Sequence, residues 1–597
     1  MGGNFGRIFV VTLEGDRARV EHHALAPAVY RDFIGGVGLA AYLLWRYAPA
    51  GVDPLAPDAP LVFAFSPLLG TPLTTTAKLT LACKSPLTGR LNDGLSSSRF
   101  ALVAKRLGVD AIVIRGALRT LSVLHLEPAP ARCRVEARPE LAGRSPAEVT
   151  SILVSEAGGD ARPGVAAIGL GGEKLVRYAT VSNDGRHAGR GGSGAVMGHK
   201  RLKAITVRGR ETPGVFAPER VHARARELAA RSLGASTDKY RLLGTAANLE
   251  TFARLRILPA RNFQGVTLSR REARRLAPEG LAAAAGHTRA SCAGCTIGCD
   301  HRYGGTRVEY ETQFALGPLC GVEEPGALLE AARVCDELGL DTISAGGTIA
   351  FAMECAARGL VDWPLRFGDA PAPWLRRIAA REGAGDKMAE GTRELARAIG
   401  QGSARFACHV KGLELPGYEP RAMQTMALGL VVASRGADHN RSGAYQADLR
   451  PDVDRYRADI ARAPGRVIET EDHAALLDSL ILCKFLRGAI PSPWVEGAEL
   501  LEMVTGDAHD EASLRLAARR IVTLRHLFNL REGWRRDEDQ LPARFVEEPL
   551  EDGARLSRDD LEAMRDAYYL ARGYDERGRV PPACLEAVGL ARWLTSP

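Results

Sequence analysis

Between Ser291 and Tyr303 the chain reads SCAGCTIGCDHRY, which sets Cys292, Cys295 and Cys299 at a C-x2-C-x3-C spacing. Three thiols this close suit a soft centre, either an iron–sulfur cluster or zinc. A zinc site usually brings two C-x2-C knuckles or accompanying histidines. Here His301 stands only two positions past Cys299, an awkward reach to the same ion. A [4Fe–4S] cluster takes three local cysteines and one remote one. Among the other eight cysteines, Cys483 in ALLDSLILCKFL is the natural candidate, because charged and turn residues flank an otherwise apolar segment. Cluster, zinc and incidental thiols all remain open on spacing alone.

The elements that must position these thiols follow from composition and periodicity. A chain of 597 residues, 46% hydrophobic and 25% charged, is long enough for several globular domains. Net charge is +8, but the arginines are interspersed with acids and form no basic block, so a solvated surface is expected rather than nucleic-acid binding. Eleven cysteines spread thinly around one tight cluster fit a reducing cytoplasm better than a disulfide framework. The first residues carry neither a basic region nor a long apolar run, so no export signal is expected, and no stretch is apolar enough to span a membrane. The opening reads as two strands joined at Gly15-Asp16, followed by strands in PLVFAFSPL, KLTLAC, DAIVIRG, LSVLHL and KAITVRG. After GRETPGVF the spacing becomes helical, with Pro or Gly at segment ends. The expected fold is α+β: a β-rich domain over 1–210 and two mainly helical domains over 211–411 and 412–597.

FGRIFVVTL, FIGGVGLAAYLL, KSPLTG, GRGGSGAVMGHKRLKAITVRG, LPARNFQG, the cysteine motif, EYETQFALGPLCG, CDELGLDTISAGGTIAF, HVKGLELPGYEPRA, SRGADHNR and LFNLREGWRRDEDQLPARF occur in that order. Over essentially its full length the chain thereby resembles the aldehyde:ferredoxin oxidoreductase family of tungsten- or molybdenum-bispterin enzymes. The resemblance implies a β-rich domain that carries the pterin, covered by two helical domains. It also implies a [4Fe–4S] cluster on Cys292, Cys295, Cys299 and Cys483. The implied reaction is oxidation of a small aldehyde to its carboxylic acid in the cytoplasm. Electrons would pass to ferredoxin or an iron–sulfur subunit, with no role for nucleic acid or membrane. A homodimer is compatible with the resemblance. The dimer-bridging metal of some relatives is not expected, because Glu330 is followed by Arg333 with no histidine near.

The same resemblance assigns pterin contacts to Lys78, Leu95, Ser97, Arg186, His187, Arg190, Asp336, Gly339, Leu340, Asp341, Arg441, Asp478 and Leu482. In DELGLD a helix should stop at Gly339 in the left-handed conformation and Asp341 should cap the next. That corner would offer Asp336 and free backbone groups to a pterin ring, whose amino and N–H donors suit a carboxylate. Arg186, Arg190 and the glycine-rich GRHAGRGGSG would hold phosphates together with Mg2+, facing a loop at NDGLSSS. Ile481 stands where the family has glycine, so the DSLILC turn must either change geometry or carry strain. Glu311 and His439 match the reacting positions. Glu309, two residues before Glu311 in a segment read as a strand, is the rival carboxylate. Two alternatives stay open: another reaction on the same scaffold, such as reduction of an acid or an aromatic thioester, and a cluster-only electron-transfer subunit.

Overall fold

Every apolar run expected as a strand is one in the computed structural model, which describes residues 2–128, 132–158 and 162–594. Six strands form a first mixed sheet: β1 (Arg7–Gly15), β2 (Arg17–Ala24), β3 (Leu61–Ala64), β4 (Lys78–Lys84), β5 (Leu91–Ser97) and β6 (Ala111–Leu118), in the order β2-β1-β6-β3-β4-β5. Six more form a second: β7 (Ser122–Glu127), β8 (Arg132–Ala137), β9 (Gly164–Ala167), β10 (Val181–Asn183), β11 (Arg186–Ala188) and β12 (Leu202–Val207), in the order β11-β10-β9-β12-β7-β8. β1 pairs parallel with β6 and β12 parallel with β7, while the remaining pairs are antiparallel. β3 is buried along its whole length, which explains its unbroken apolar sequence.

Two local expectations are corrected. NDGLSSS is not a loop: it lies in β5, where Ser97 pairs with Lys78 and Leu95 with Thr80. Alternation therefore puts Asp93, Leu95, Ser97 and Lys78 on one sheet face. EYET is not a strand either. Glu309 is the N-cap of the helix Tyr310–Leu316, and Glu311 sits in that helix's first turn.

From Pro218 onward helices dominate. One apolar cluster joins Leu249, Phe314 and Phe351 to Val410, Leu428 and Tyr569. A second joins Ile8, Val62 and Leu43 to Leu477, Leu514 and Ile521. The C-terminal helices are thus packed against both the first sheet and the middle of the chain. One close approach is at Gly36, whose φ is +43°; a Cβ there would lie 2.3 Å from the Asp478 carbonyl. Only glycine fits. No helix among the described residues is long and apolar enough to cross a membrane.

Candidate functional site: a charged cleft between four thiols and a Glu–His pair

Cys292, Cys295 and Cys299 occupy the connection between β13 (His287–Ala290) and β14 (Asp300–Tyr303), which pair antiparallel. Gly294 and Gly298 take positive φ within it, and the Cys295 amide donates to the Cys292 carbonyl at 3.1 Å. Ile297 anchors this loop in the second apolar cluster. Two threonines then bring the remote cysteine in. The Thr296 amide donates to Thr74 Oγ1 at 3.1 Å, and the Thr75 amide donates to the Gly294 carbonyl at 3.1 Å. Thr75 Oγ1 in turn accepts from the Cys483 amide at 3.2 Å. All four thiols are half-buried. Burial, and then the proximity of Cys483, push the Cys299 thiol well up. Four neighbouring thiolates repel one another unless cationic metal lies between them, so this donor set fits a cluster. Among the described residues no trio of His, Cys, Asp or Glu closes on a single-ion position, and a four-iron cluster needs a wider span than one ion.

Lys78 leads from the thiols into the cleft. Burial opposes its charge, but Cys483, Asp478 and Cys292 outweigh that and raise its pKa. Asp478 lies in the last turn of the helix Ala463–Leu480, which ends on Ile481 at φ 61°, ψ 30°. The glycine-type turn is therefore kept by a β-branched residue, at a cost of about 1–2 kcal/mol. The Leu482 amide closes the turn on the Leu477 carbonyl at 2.9 Å. Asp478 accepts from Arg441 and lies 3.4 Å from Lys484. Burial pushes its carboxyl up, yet Arg441 and Lys484 prevail and hold it below the ordinary range. Arg441 also reaches Asp93 at 3.3 Å, and Arg525 reaches the same carboxylate at 2.7 Å. Asp438 caps the helix His439–Ser442 and pairs with Arg435 at 3.1 Å.

The opposite wall comes from the second sheet and the DELGLD corner. Arg186 pairs with buried Asp300 at 2.9 Å, and His187 faces Asp336 at 3.3 Å. Burial lowers the pKa of His187 and raises that of Asp336. The Asp336 side chain is nonetheless 46% open, so it is not part of a packed core. Gly339 ends its helix at φ 69°, and Asp341 caps the next helix through the amides of Ile343 and Ser344, as the sequence suggests. The backbone groups there are not free, however. The Gly339 and Leu340 amides bond the Cys335 carbonyl, and the Asp341 amide bonds that of Tyr178. Arg190 is likewise engaged, with the Ala437 and Glu414 carbonyls and with Asp341. Gly191 is glycine for packing: its Cβ would lie 2.2 Å from Asn92 Oδ1.

At the far end Glu311 and His439 meet. Glu311 Oε2 accepts from the Gly417 amide at 3.0 Å, and Oε1 lies 3.6 Å from His439 Nδ1. Asn440 Nδ2 can only donate, so at 3.0 Å it makes His439 Nε2 the acceptor. That leaves the proton on Nδ1, on the side of Glu311, with no hydrogen bond between the two at this distance. Burial drives the histidine pKa down to about 3, and burial raises that of Glu311 to about 8. Tyr418 packs on His439 at 5.4 Å and stacks with Tyr445 at 5.0 Å, walling this end.

Several members of the site were not singled out from sequence. Arg435 and Asp438 lie within SRGADHNR, and Asp93 within NDGLSSS, so charges in marked strings were the available signal. Arg525 lies mid-helix in the helix Glu511–Arg531 and had none.

Comparison with known proteins identifies the family. The family description "Aldehyde ferredoxin oxidoreductase, N-terminal domain" matches residues 8–209, and that for domains 2 and 3 matches 221–590. The chain belongs to the aldehyde ferredoxin oxidoreductase family. It is 34% identical to the tungsten-containing aldehyde ferredoxin oxidoreductase of Pyrococcus furiosus, over 99% of this chain and all of that one. It is also 29% identical to the WOR-like subunit of an aliphatic sulfonate oxidoreductase of the same organism, over 96% of this chain and 95% of the other. Among solved structures it resembles a chain of the active-site complex BamBC of benzoyl coenzyme A reductase in complex with 1,5-dienoyl-CoA. The TM-score is 0.83 at 23% identity, covering 99% of this chain and 98% of that one. The family implies an oxidoreductase with a tungsten- or molybdopterin and an iron–sulfur centre.

The cleft fits such a cofactor. Buried polar atoms nearly always find partners, yet here Arg435 Nε and both polar side-chain atoms of Asn183 make no hydrogen bond, and Asp93 meets Arg441 and Arg525 as ion pairs without a well-aligned hydrogen bond. Glu311 Oε1 and His439 Nδ1 are in the same condition. A polyanionic, donor-rich ligand would satisfy both the surplus cations and the carboxylates.

Proposed function

We propose that this chain oxidises an aldehyde to its carboxylic acid, with water as the oxygen source. Ferredoxin or an iron–sulfur electron-transfer subunit takes the electrons. The observation that carries this reading is the Glu311–His439 pair, 3.6 Å apart, at the end of a charge-lined cleft whose other end holds four thiols. A tungsten- or molybdenum-bispterin bound in the cleft would accept two electrons from the aldehyde, and a [4Fe–4S] cluster would pass them on singly.

The chain's own residues supply the rest. Cys292, Cys295, Cys299 and Cys483 are the cluster ligands. Asp336 and Asp478 would accept from the pterin rings, and Lys78, Arg186, His187, Arg190 and Arg441 would balance their anionic charge. The Arg186–Gly192 segment and the face of Leu95 and Ser97 would hold the cofactor's phosphates together with Mg2+. Gly339, Leu340, Asp341 and Leu482 shape the two turns that present the aspartates. His439, neutral with its proton on Nδ1, donates to the aldehyde oxygen as negative charge builds there. Ionised Glu311 takes the proton that water loses as it attacks the carbonyl carbon. The tyrosine wall keeps bulk water from the reacting carbon.

A panel of aldehydes assayed against a viologen dye, with metal analysis of the same preparation, tests the reading. The expected result is aldehyde-dependent dye reduction with tungsten or molybdenum bound and about four irons per chain. Iron alone, with no aldehyde-dependent reduction, would support the electron-transfer subunit instead. The benzoyl coenzyme A reductase likeness is a likeness of fold.

A further inference from the structure

The thiol end reaches the surface, and the surface around it is unlike a plain solvated one. Ser291, Gly294 and Thr296 at the tip of the cysteine loop are exposed. The helix Ala235–Leu243 is fixed beside this loop by two contacts. Tyr240 stacks on Phe485, two residues past Cys483, with ring centroids 4.2 Å apart. The Arg241 carbonyl accepts from Arg289 Nη1 at 2.9 Å. A third contact, from Ser232 to Thr296 at 2.5 Å, fixes the residues just before the helix. This framework presents Leu233, Leu242 and Leu243 at 52%, 57% and 39% exposure. It also presents Lys239 and Arg289, both exposed, which make no ion pair among the described residues.

Large apolar side chains grouped on a surface mark a contact site more often than chance. Unpaired cations beside them select an acidic partner and steer its approach. Tunnelling rates fall steeply with distance, so a carrier gains most by docking where the thiols come nearest to solvent.

We propose that the face formed by Leu233, Lys239, Leu242, Leu243 and Arg289 is the transient docking site of a small acidic one-electron carrier protein. This rests on the function proposed above and assigns the surface that serves it. Aldehyde and water yield the acid, two electrons and two protons, so two carriers dock in turn and each leaves reduced by one electron. A small, mainly electrostatic contact suits such repeated exchange.

The test compares two acceptors, methyl viologen and an acidic bacterial-type ferredoxin, on holoenzyme. For the double variant Lys239→Glu/Arg289→Glu the ferredoxin kcat/KM should fall by about 10–100-fold, within the range electrostatic steering supplies. Its dependence on salt should flatten and the viologen rate should stay put. Leu242→Ser, which leaves charge unchanged, should lower the ferredoxin rate several-fold and keep the salt dependence. Electron transfer to ferredoxin from dithionite-reduced enzyme is read in parallel, because it needs no aldehyde. If the wild type oxidises no aldehyde but this transfer responds to the variants, the docking site stands and the substrate reading falls. Unchanged ferredoxin rates in both variants, or equal loss with ferredoxin and viologen, would overturn the docking site. A permanently bound subunit covering the face would do the same.

Discussion

The two ends of the cleft are built on different principles. At the thiol end, three donors lie within one short hairpin connection, and two threonines of the turn between β3 and β4 hold that loop and the remote Cys483 together. At the reacting end, Glu311 and His439 come from distant helices and matter only because they are buried against each other. Soft-metal ligation needs donor type and spacing, which a short peptide can encode. Proton transfer needs a shifted pKa, and only a folded interior supplies that.

The sharpest way to break the thiol end is Cys483→Ser. Iron content and the low-temperature EPR signal should be lost, and aldehyde-dependent turnover with them. Unchanged iron would remove Cys483 from the ligand set. At the reacting end, Glu311→Gln should keep both metals and lose about 10²–10⁴ in turnover, the range for a general base. Glu309→Gln is its control, since Glu309 pairs with Arg307 outside the Glu311–His439 contact; a crippled Glu309 variant would misplace the active site.

Between the ends, Arg441→Met leaves Asp478 and Asp93 with less compensation in a buried setting. Denaturant unfolding should report a loss of about 3–5 kcal/mol, as for other broken buried pairs. A loss below 1 kcal/mol would mean that Lys484 and Arg525 suffice. Asp336→Ala is milder. It should lower tungsten or molybdenum occupancy at constant iron, reflecting about 1–3 kcal/mol for one buried donor left unpaired.

The smallest effect is the pH dependence. With its pKa near 8, Glu311 holds a proton at neutral pH, so kcat/KM should rise with pH, reach half its plateau near 8 and level off above it. Glu311→Gln should flatten that limb. Stability has the opposite sign. The native state retains a proton that the unfolded chain releases at the ordinary carboxylate pKa, so this group's contribution falls as pH rises towards 8. A rise in stability over that window, absent in Glu311→Gln, would contradict the assignment.

Much of the fold was legible. Apolar runs at Leu61–Ala64, Ala111–Leu118 and Leu202–Val207 read as strands and are strands, and the Gly339–Asp341 corner carried its own cap signals. β5 was missed because Asn92, Asp93, Gly94 and three serines have turn-like propensities. Their pairing with β4 overrides those propensities, and it aims Asp93 at two arginines. The helix at Tyr310 was missed for a similar reason: the segment is short, and Phe314 and Tyr310 are fixed by packing rather than period.

What the sequence by itself determined was the donor chemistry: three thiols at cluster spacing, and glycines where the chain must turn tightly. Both are set by bond lengths and backbone sterics within a few residues. Only the tertiary structure decided that Ile481 keeps a glycine-type turn, and that the DELGLD amides are spent on neighbouring carbonyls. It also decided that His439 carries its proton on Nδ1 and that Glu311 keeps one near neutrality. These depend on which groups exclude water from one another across the fold, and no local stretch of chain encodes that.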